Sequence, residues 1–456
     1  MKPPAGAGPA ARTDAPPLHE ILAAASVVWA QVRAGQSLDR ALEALRASPG
    51  VQARALGAVR DLASSTVRRA GSVEFLLASL AHRPPDAPVA ALLGVALAQL
   101  LARSYADFTL VDQAVQAARL LPATASAGGF LNAILRAFLR DRDALSARAL
   151  AEPARRYNVP PWWLRRVESE YGARAPAMLQ AQLEEPPLVL RVNRRRASVE
   201  GALAALRAHG HEATQVGAAA LWLHRAVPVE AIPGFAAGHL SVQDAGAQLA
   251  APLLGAADGM RVLDACAAPG GKTAHLLELA DCRVDAVEID AHRARRIGAN
   301  LLRLGLDGPR VRVIEADALA PSAFWDGVPY DRIVLDAPCT ASGVVRRHPD
   351  VVLLRRESDV AKLATQQAKM LQTLWPLLAP AGRLLYVVCS VFAEEGRRQV
   401  TAFVRRQPGA RRVQLPGDDP TGLQLLPSSI ALASPADAAA VPVLHDGFFY
   451  ALLEKT

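Results

Sequence analysis

Met260-Arg261-Val262-Leu263-Asp264-Ala265-Cys266-Ala267-Ala268-Pro269-Gly270-Gly271-Lys272-Thr273 is the stretch on which the fold turns. Met260 to Asp264 is a short, mostly apolar run ending in an acid and reads as a buried strand of a parallel sheet. Pro269, Gly270 and Gly271 mark a tight turn, and a helix is expected from Thr273. Small residues at such a turn let a ligand approach the backbone and the positive end of the helix dipole. A phosphate-binding P-loop needs glycine five residues before its Gly-Lys pair, where Cys266 stands, so the nucleotide-hydrolase reading fails. The dinucleotide spacing G-x-G-x-x-G is absent too.

Working outward, the run Arg283 to Asp290 ends in Glu288 and Asp290, at the distance from Asp264 where Rossmann-like folds carry the acid that grips ribose hydroxyls. The run Arg310 to Asp317 ends in Asp317, placed for an adenine-like ring. Any one of these acids could equally cap the helix that follows it. Three at successive strand ends beside the glycine turn favour a ligand. Two further apolar runs end in cysteine motifs: Arg332-Ile333-Val334-Leu335 runs into Asp336-Ala337-Pro338-Cys339, and Arg383 to Val388 into Cys389-Ser390. Both thiols should sit at carboxyl ends of strands, where open α/β sheets bind ligands. A thiolate near a bound methyl donor points to covalent attack on an aromatic ring carbon.

The 456-residue chain is long enough for two or three domains, and its 51% hydrophobic content supplies real cores. Lys and Arg outnumber Asp and Glu by 51 to 43, mostly through arginine, which favours a polyanionic partner. A GC-rich genome, which inflates Arg and Ala, would produce the same bias. The 4 cysteines show neither C-x-x-C spacing nor a dense secreted framework, so a reducing cytoplasm is expected. Residues 1–17 read as a loose Pro/Ala/Gly-rich tail without a signal-peptide core. Pro88 to Ala102 is too short and too alanine-rich for a membrane span and reads as a buried helix. Residues 18–150 are helical throughout, with breaks at Ser48-Pro49-Gly50, Arg83-Pro84-Pro85-Asp86 and Pro122, and carry a basic surplus that suits an RNA-contacting domain. Residues 155–242 read as a small α+β domain containing the exposed run Arg194-Arg195-Arg196, whose mutual repulsion an anionic backbone would relieve. From 243 to 456 strands and helices alternate, which specifies a doubly wound parallel sheet.

These motifs resemble a known family. The Asp264–Thr273 turn, Asp336–Cys339, Arg346-Arg347-His348-Pro349-Asp350 and Cys389-Ser390 stand in the order found in the bacterial Sun/Fmu RNA (cytosine-C5) methyltransferases, of the RsmB type that acts on 16S ribosomal RNA. Asp446-Gly447-Phe448-Phe449-Tyr450 is similar to that family's last strand, and Gly129 to Arg136 to a stretch of its NusB-like helical domain. The resemblance implies an all-α NusB-like domain, an α+β RNA-positioning domain and a C-terminal Rossmann-like methyltransferase domain. It implies S-adenosyl-L-methionine as cofactor, held by Cys266, Ala267, Ala268, Pro269, Gly270, Gly271, Lys272, Glu288, Asp317 and Asp336. It also implies a ribosomal RNA partner, free or in an early assembly intermediate; we expect a monomer, without membrane or metal.

Cytosine C5 is a poor nucleophile until a thiolate adds at C6 and makes the ring an enamine. Sequence order alone leaves open which cysteine attacks, because DNA cytosine methyltransferases use a Pro-Cys thiol. The resemblance assigns attack to Cys389 and adduct release to Cys339. Lys272 or Arg346 could supply the positive charge that favours a thiolate, and Asp336 could read the base edge near N3/N4. Arg346, Arg347 and His348, with the doublets Arg355-Arg356 and Arg397-Arg398, are candidates for phosphate contacts near an extruded base. His348 has no partner histidine at metal-ligand spacing, and Cys266 and Cys282 read as structural. The chain departs from the family pattern at Val388, where threonine commonly precedes the cysteine, in the Thr340-Ala341-Ser342-Gly343 order of the loop after Cys339, and in lacking an aromatic residue at Val351 to Leu354. The same chemistry on tRNA or another ribosomal cytosine, and a non-catalytic RNA-binding assembly factor, are the rival readings.

Overall fold

The structure, a computed structural model, describes residues 16–48, 55–428 and 444–456. Nearly all of the expected tail 1–17, and the Pro49-Gly50 part of the first expected break, lie outside the described residues. The chain forms two compact units, one of residues 1–164 with His348–Leu354, the other of 165–347 with 355–456. The division falls inside the helix Pro161–Tyr171.

In the first unit, helices pack around Ala87–Ala102, of which every residue from Val89 to Leu100 is buried. That run of alanine and leucine is apolar on all sides because it has neighbours on all sides. Gly94 lets it close on Trp29, whose Nε1 would lie 2.9 Å from an added Cβ. No helix among the described residues is long and apolar enough to cross a membrane. The expected breaks fall between helices: Leu80 ends one helix and Ala87 begins the next, and Pro122 opens a short 3-10 turn after Leu120. Asp350, carried back into this unit, accepts the Leu38 amide at 3.0 Å.

The second unit holds two sheets. Strands β1 (Leu188–Val192), β2 (Ala213–Gln215), β3 (Ala220–Leu223) and β4 (Leu240–Val242) form an antiparallel sheet in the order β2-β3-β1-β4. Strand alternation sends Leu190 and Val192 into a cluster with Val199 and Leu206 of the helix Val199–Ala208, and Val189 to the opposite face. The larger sheet contains β5 (Arg261–Ala265), β6 (Arg283–Glu288), β7 (Val311–Glu315), β8 (Tyr330–Asp336), β9 (Leu378–Val388), β10 (Ala410–Val413), β11 (Leu423–Leu425) and β12 (Phe448–Lys455). Its order is β10-β12-β9-β8-β5-β6-β7, with β11 also pairing β12. The five strands from β7 to β9 are parallel.

The expected all-parallel sheet is corrected at one edge. Strand β12 runs antiparallel to β9, and β10 and β11 run antiparallel to β12. Strand β10 follows β9 through the helix Arg397–Arg406 and points the same way, whereas β12 is inserted between them in the opposite direction. Strand order reverses between β5 and β8, the switch point at which such sheets open a crevice above the carboxyl ends of their strands.

Candidate active site

Four strand ends meet at that crevice. Strands β8 and β9 are parallel neighbours with Asp336 opposite Val387, so the chains leaving them run side by side. The Ala337 amide donates to the Val387 carbonyl at 3.0 Å, continuing the pairing past the strand. Cys339 and Cys389 then face each other with their sulfurs 3.3 Å apart, both as free thiols. Cys339 is buried and Cys389 partly exposed. The hydrogen bond to the Cys389 sulfur, burial and the nearby Glu395 carboxylate hold the Cys339 thiol well above its usual range.

The glycine turn stands on the other side of the switch point. Cys266 and Gly270 adopt left-handed backbone, at φ 63° and 91°. Only glycine fits at Gly270, because an added Cβ would lie 3.2 Å from the Ile297 Cα in a conformation that side chains avoid. Helix Gly271–Leu279 begins directly after it and puts Lys272 Nζ 2.6 Å from Asp336 Oδ2. Burial alone would depress the Lys272 ammonium, but the Asp336 carboxylate, its hydrogen bond and Asp264 outweigh it and hold the pKa above the usual value.

Asp264 is fully buried beneath the turn, with Oδ2 accepting the Thr273 hydroxyl at 2.6 Å and Oδ1 without a hydrogen-bond partner. Burial pushes its carboxyl up to about 7 against the opposing pull of Thr273 and Lys272. Burial and the surrounding carboxylates of Asp336, Glu288 and Asp264 push the Cys266 thiol up to about 12, which keeps it unreactive. Glu288 accepts the Ala268 and Asp290 amides at 3.3 and 3.1 Å and lies 3.5 Å from Arg293. Asp317 accepts the Leu319 amide at 2.8 Å, and Asp290 caps the helix Ala291–Leu304 through the Arg293 amide. The acids at these strand ends therefore do serve the backbone, and of them Glu288, with Asp264 and Asp336, also stands close enough to the glycine turn to act on Cys266.

The arginines divide sharply. Arg346 and Arg347, expected to meet RNA, point inward. Arg346 is fully buried, with its Nε on Asp446 and Nη1 on the Ser428 carbonyl at 2.8 Å. Arg347 pairs with Asp446 and with Asp244 at 2.8 Å, which fixes both guanidiniums inside. A buried pair of acids demands two cations, and the sequence interval of about a hundred residues hid that demand. Arg355 also turns to the protein, donating to the Thr340 and Cys339 carbonyls at 3.2 and 3.3 Å. Arg194, Arg195 and Arg196 are exposed, although Arg195 also meets Asp281 at 2.9 Å and Arg196 donates to the Ala237 carbonyl. His348 is half-exposed in the helical unit, 3.6 Å from Asp39.

Sequence reasoning missed the groups that hold the thiol centre. Buried Glu395 accepts hydrogen bonds from Thr340, Ser390 and Gln367, drawn from the segments after both cysteines and from the helix Glu357–Leu374. Glu170 accepts the Ala393 amide at 3.0 Å, and the Tyr171 hydroxyl donates to the Val391 carbonyl. The available signal was the small hydroxylated residue directly after each cysteine, Thr340 and Ser390, with the acid Glu395 five residues beyond Ser390. Val388 lies in the apolar cluster under the sheet, among Tyr386, Phe449 and Ala451.

Three family models match the chain: 16S rRNA methyltransferase RsmB/F over residues 251–454, the ferredoxin-like domain of RsmF/B-like methyltransferases over 159–230, and the NusB family over 21–140. A ribosomal RNA small subunit methyltransferase B from Pseudomonas syringae pv. tomato is 40% identical over 415 residues, covering 89% of this chain and 90% of the relative. Its counterpart from Pseudomonas putida is 39% identical over 445 residues, covering 95% and 98%. The crystal structure of PH0851 shares the fold at TM-score 0.75 and 24% identity, covering 95% of this chain and 99% of that one. With relatives this similar along nearly its whole length, and with the fold and thiol-bearing strand ends described above, the chain belongs to the RsmB/F family of 16S rRNA methyltransferases.

Proposed function

We propose that this protein transfers a methyl group from S-adenosyl-L-methionine to C5 of a cytosine in 16S ribosomal RNA, through a transient bond between Cys389 and C6 of the base. The observation that carries the reading is the 3.3 Å approach of two free thiols at adjacent strand ends, beside the Lys272–Asp336 pair. The donor set suits the cofactor. Carboxylates of Glu288, Asp317 and Asp336 match the hydroxyl and amine donors of a nucleoside amino acid, and the small residues Cys266 to Gly271 leave room beside the backbone. Bound there, the cofactor supplies an electrophilic methyl group.

The protein's own groups then divide the work. Cys389, the more accessible sulfur, adds to C6 and makes C5 nucleophilic. Asp336, fixed by Lys272, accepts from the N3/N4 edge and favours ring protonation as charge develops, which selects cytosine over uracil. Cys339, its thiol held above the usual range, lies against the attacking sulfur and assists release: as the C5 proton passes to solvent the C5–C6 double bond re-forms, the C6–sulfur bond breaks, and the departing Cys389 sulfur takes the Cys339 proton. The exposed Arg194-Arg195-Arg196 run contributes phosphate contacts. The target must be unstacked to reach the thiol, so a loop or still unassembled segment is the substrate.

The test is transfer of labelled methyl to protein-free 16S RNA. Wild type should label the RNA, Cys389→Ala should not, and Cys339→Ser should accumulate a denaturant-stable protein–RNA adduct. Transfer by Cys389→Ala with none by Cys339→Ser would reverse the two roles, and no transfer by wild type would refute the activity.

A further inference from the structure

Glu395 is fully buried, yet it accepts four donors. Its Oε1 takes the Thr340 amide at 2.9 Å and Gln367 Nε2 at 3.1 Å, and its Oε2 takes the hydroxyls of Thr340 and Ser390 at 2.5 and 2.6 Å. Thr340 directly follows Cys339, and Ser390 directly follows Cys389. A second layer feeds the first. The Val391 amide donates to Ser342 Oγ at 2.9 Å, Ser342 Oγ lies 2.9 Å from Ser390 Oγ, and the Phe392 amide donates to Ser390 Oγ at 3.1 Å. Thr340 Oγ1 also lies 3.1 Å from Ser342 Oγ, so the two layers are continuous; burial raises the Glu395 pKa, and the bonds from Ser390, Thr340 and Gln367 pull it back towards the carboxylate. Around it, Tyr386 donates to the Glu395 carbonyl at 2.6 Å, Gln367 also donates to the Pro338 carbonyl at 2.9 Å, and Arg355 holds the carbonyls of Cys339 and Thr340. Glu395 touches neither sulfur through any of these bonds. It ties together the two segments that carry them.

We propose that Glu395 is the positioning residue of the two-thiol centre, its carboxylate clamping the chain after Cys339 to the chain after Cys389 and so setting the approach of the two sulfurs. This rests on the two-cysteine reading of the site for its catalytic meaning, but the clamp can be measured without RNA. Glutathione disulfide supplies the oxidant. The Cys389 thiolate attacks it and releases one glutathione thiolate, which takes up the Cys389 proton; Cys339 then loses its proton and attacks the Cys389 sulfur of the mixed disulfide, the sulfur–sulfur bond to glutathione breaks, and a second glutathione leaves carrying that proton as an intramolecular Cys339–Cys389 disulfide forms. The rate of this second step reports how well the sulfurs are held together.

In the full-length wild type the intramolecular disulfide should form with little mixed disulfide seen by mass spectrometry. In Glu395→Ala closure should be at least about tenfold slower, with the glutathione adduct of Cys389 accumulating. Glu395→Gln, which keeps the shape but must point an amide at donors, should fall between them. With labelled cofactor and 16S RNA, Glu395→Ala should lose about a hundredfold in kcat while the KM for S-adenosyl-L-methionine stays within about threefold. Closure at the wild-type rate in folded Glu395→Ala, or in Glu395→Gln should the alanine variant not fold, overturns the proposal. Slowed closure in a protein whose wild type methylates no RNA would leave the clamp standing and remove the activity assigned above.

Discussion

Arg191→Met tests how the middle sheet is joined to the glycine turn. Arg191 leaves β1 and is completely buried. Its Nε and Nη2 donate to the two oxygens of Glu278 at 3.0 and 2.6 Å, and its Nη1 to the Gly271 carbonyl at 2.8 Å and to Gln243. Methionine keeps the length of the stem and removes the cation, leaving Glu278 buried without its bidentate partner. Removing one member of a buried ion pair costs about 3–5 kcal/mol. Burial already raises the Glu278 pKa against the pull of Arg191, so loss of Arg191 raises it further. The folded variant then holds a proton at pH values where the unfolded chain has released it, so its stability declines as pH rises. Its deficit should therefore be largest above neutral pH and shrink towards pH 5. The double variant Arg191→Met/Glu278→Met removes the buried charge and leaves only the bonds to Gly271 and Gln243 unmade, about 1 kcal/mol each. It should recover at least about 2 kcal/mol relative to Arg191→Met. Urea denaturation of the full-length wild type, Arg191→Met, Glu278→Met and the double variant at pH 5.5 and 8 measures the cycle. A double variant as unstable as Arg191→Met would show that the loss is one of packing rather than uncompensated charge.

Asp264→Asn should change the pH profile of stability: with its carboxyl raised from 3.8 to about 7, wild type loses stability as pH climbs through that window, by up to about 4 kcal/mol, and the asparagine variant does not. Parallel denaturation profiles of the two proteins from pH 4.5 to 7.5 would contradict this. Arg346→Met should destabilise by about 3 kcal/mol or more because it strips a cation from buried Asp446, whereas exposed Arg194→Ala should stay within about 0.5 kcal/mol of wild type. In RNA-binding titrations, Arg194→Ala should instead lower affinity and reduce the salt slope by about 0.7–0.9, the loss of one phosphate contact. Gly343→Ala would place a Cβ 2.1 Å from the Gly447 carbonyl oxygen, backbone against backbone; we expect about 2 kcal/mol of destabilisation and slower methyl transfer, read by melting and single-turnover assay.

The sequence carried the parts of this fold that have a local signature. The strand–turn–helix at Met260–Thr273 could be read because an apolar run, two glycines and a helix start are consecutive. The cysteine strands could be read because each apolar run ends in its motif. What escaped was pairing at a distance. Nothing near Arg346 announces Asp446, and nothing near Glu395 announces Thr340, because a buried acid is balanced in space and not in sequence. Arginine in a basic chain looks like an RNA ligand until its partner is known. The antiparallel edge escaped for a related reason: the alternation of strands and helices indicates layers, while direction is set by the connection, and the connection into β12 runs through residues outside those described.

Two length scales hold the thiol pair, and they have different owners. Parallel neighbours in a sheet lie about 4.8 Å apart, so the β8–β9 register alone brings Cys339 and Cys389 into the same neighbourhood; any sequence that forms this sheet would do as much. It would not bring two sulfurs to 3.3 Å, because Cys339 lies three residues beyond Asp336 while Cys389 lies two beyond its opposite number, Val387. The extra residue must be absorbed after β8. Ala341 absorbs part of it in left-handed backbone at φ 61°, the Gly343 amide returns to the Cys389 carbonyl at 3.0 Å, and the Gly447 amide closes on the Gly343 carbonyl at 2.8 Å. Strand β12, the one that breaks the parallel pattern, thus begins by pinning the loop that carries Cys339, and Asp446 at its start fastens Arg346 and Arg347 on the other side of that loop. The family's altered loop order in this chain, Thr340-Ala341-Ser342-Gly343, sits inside this frame with each hydroxyl bonded. A loop so tightly satisfied can exchange the order of its small residues while keeping the sulfur contact, provided that a hydroxyl still reaches Glu395 from each cysteine segment.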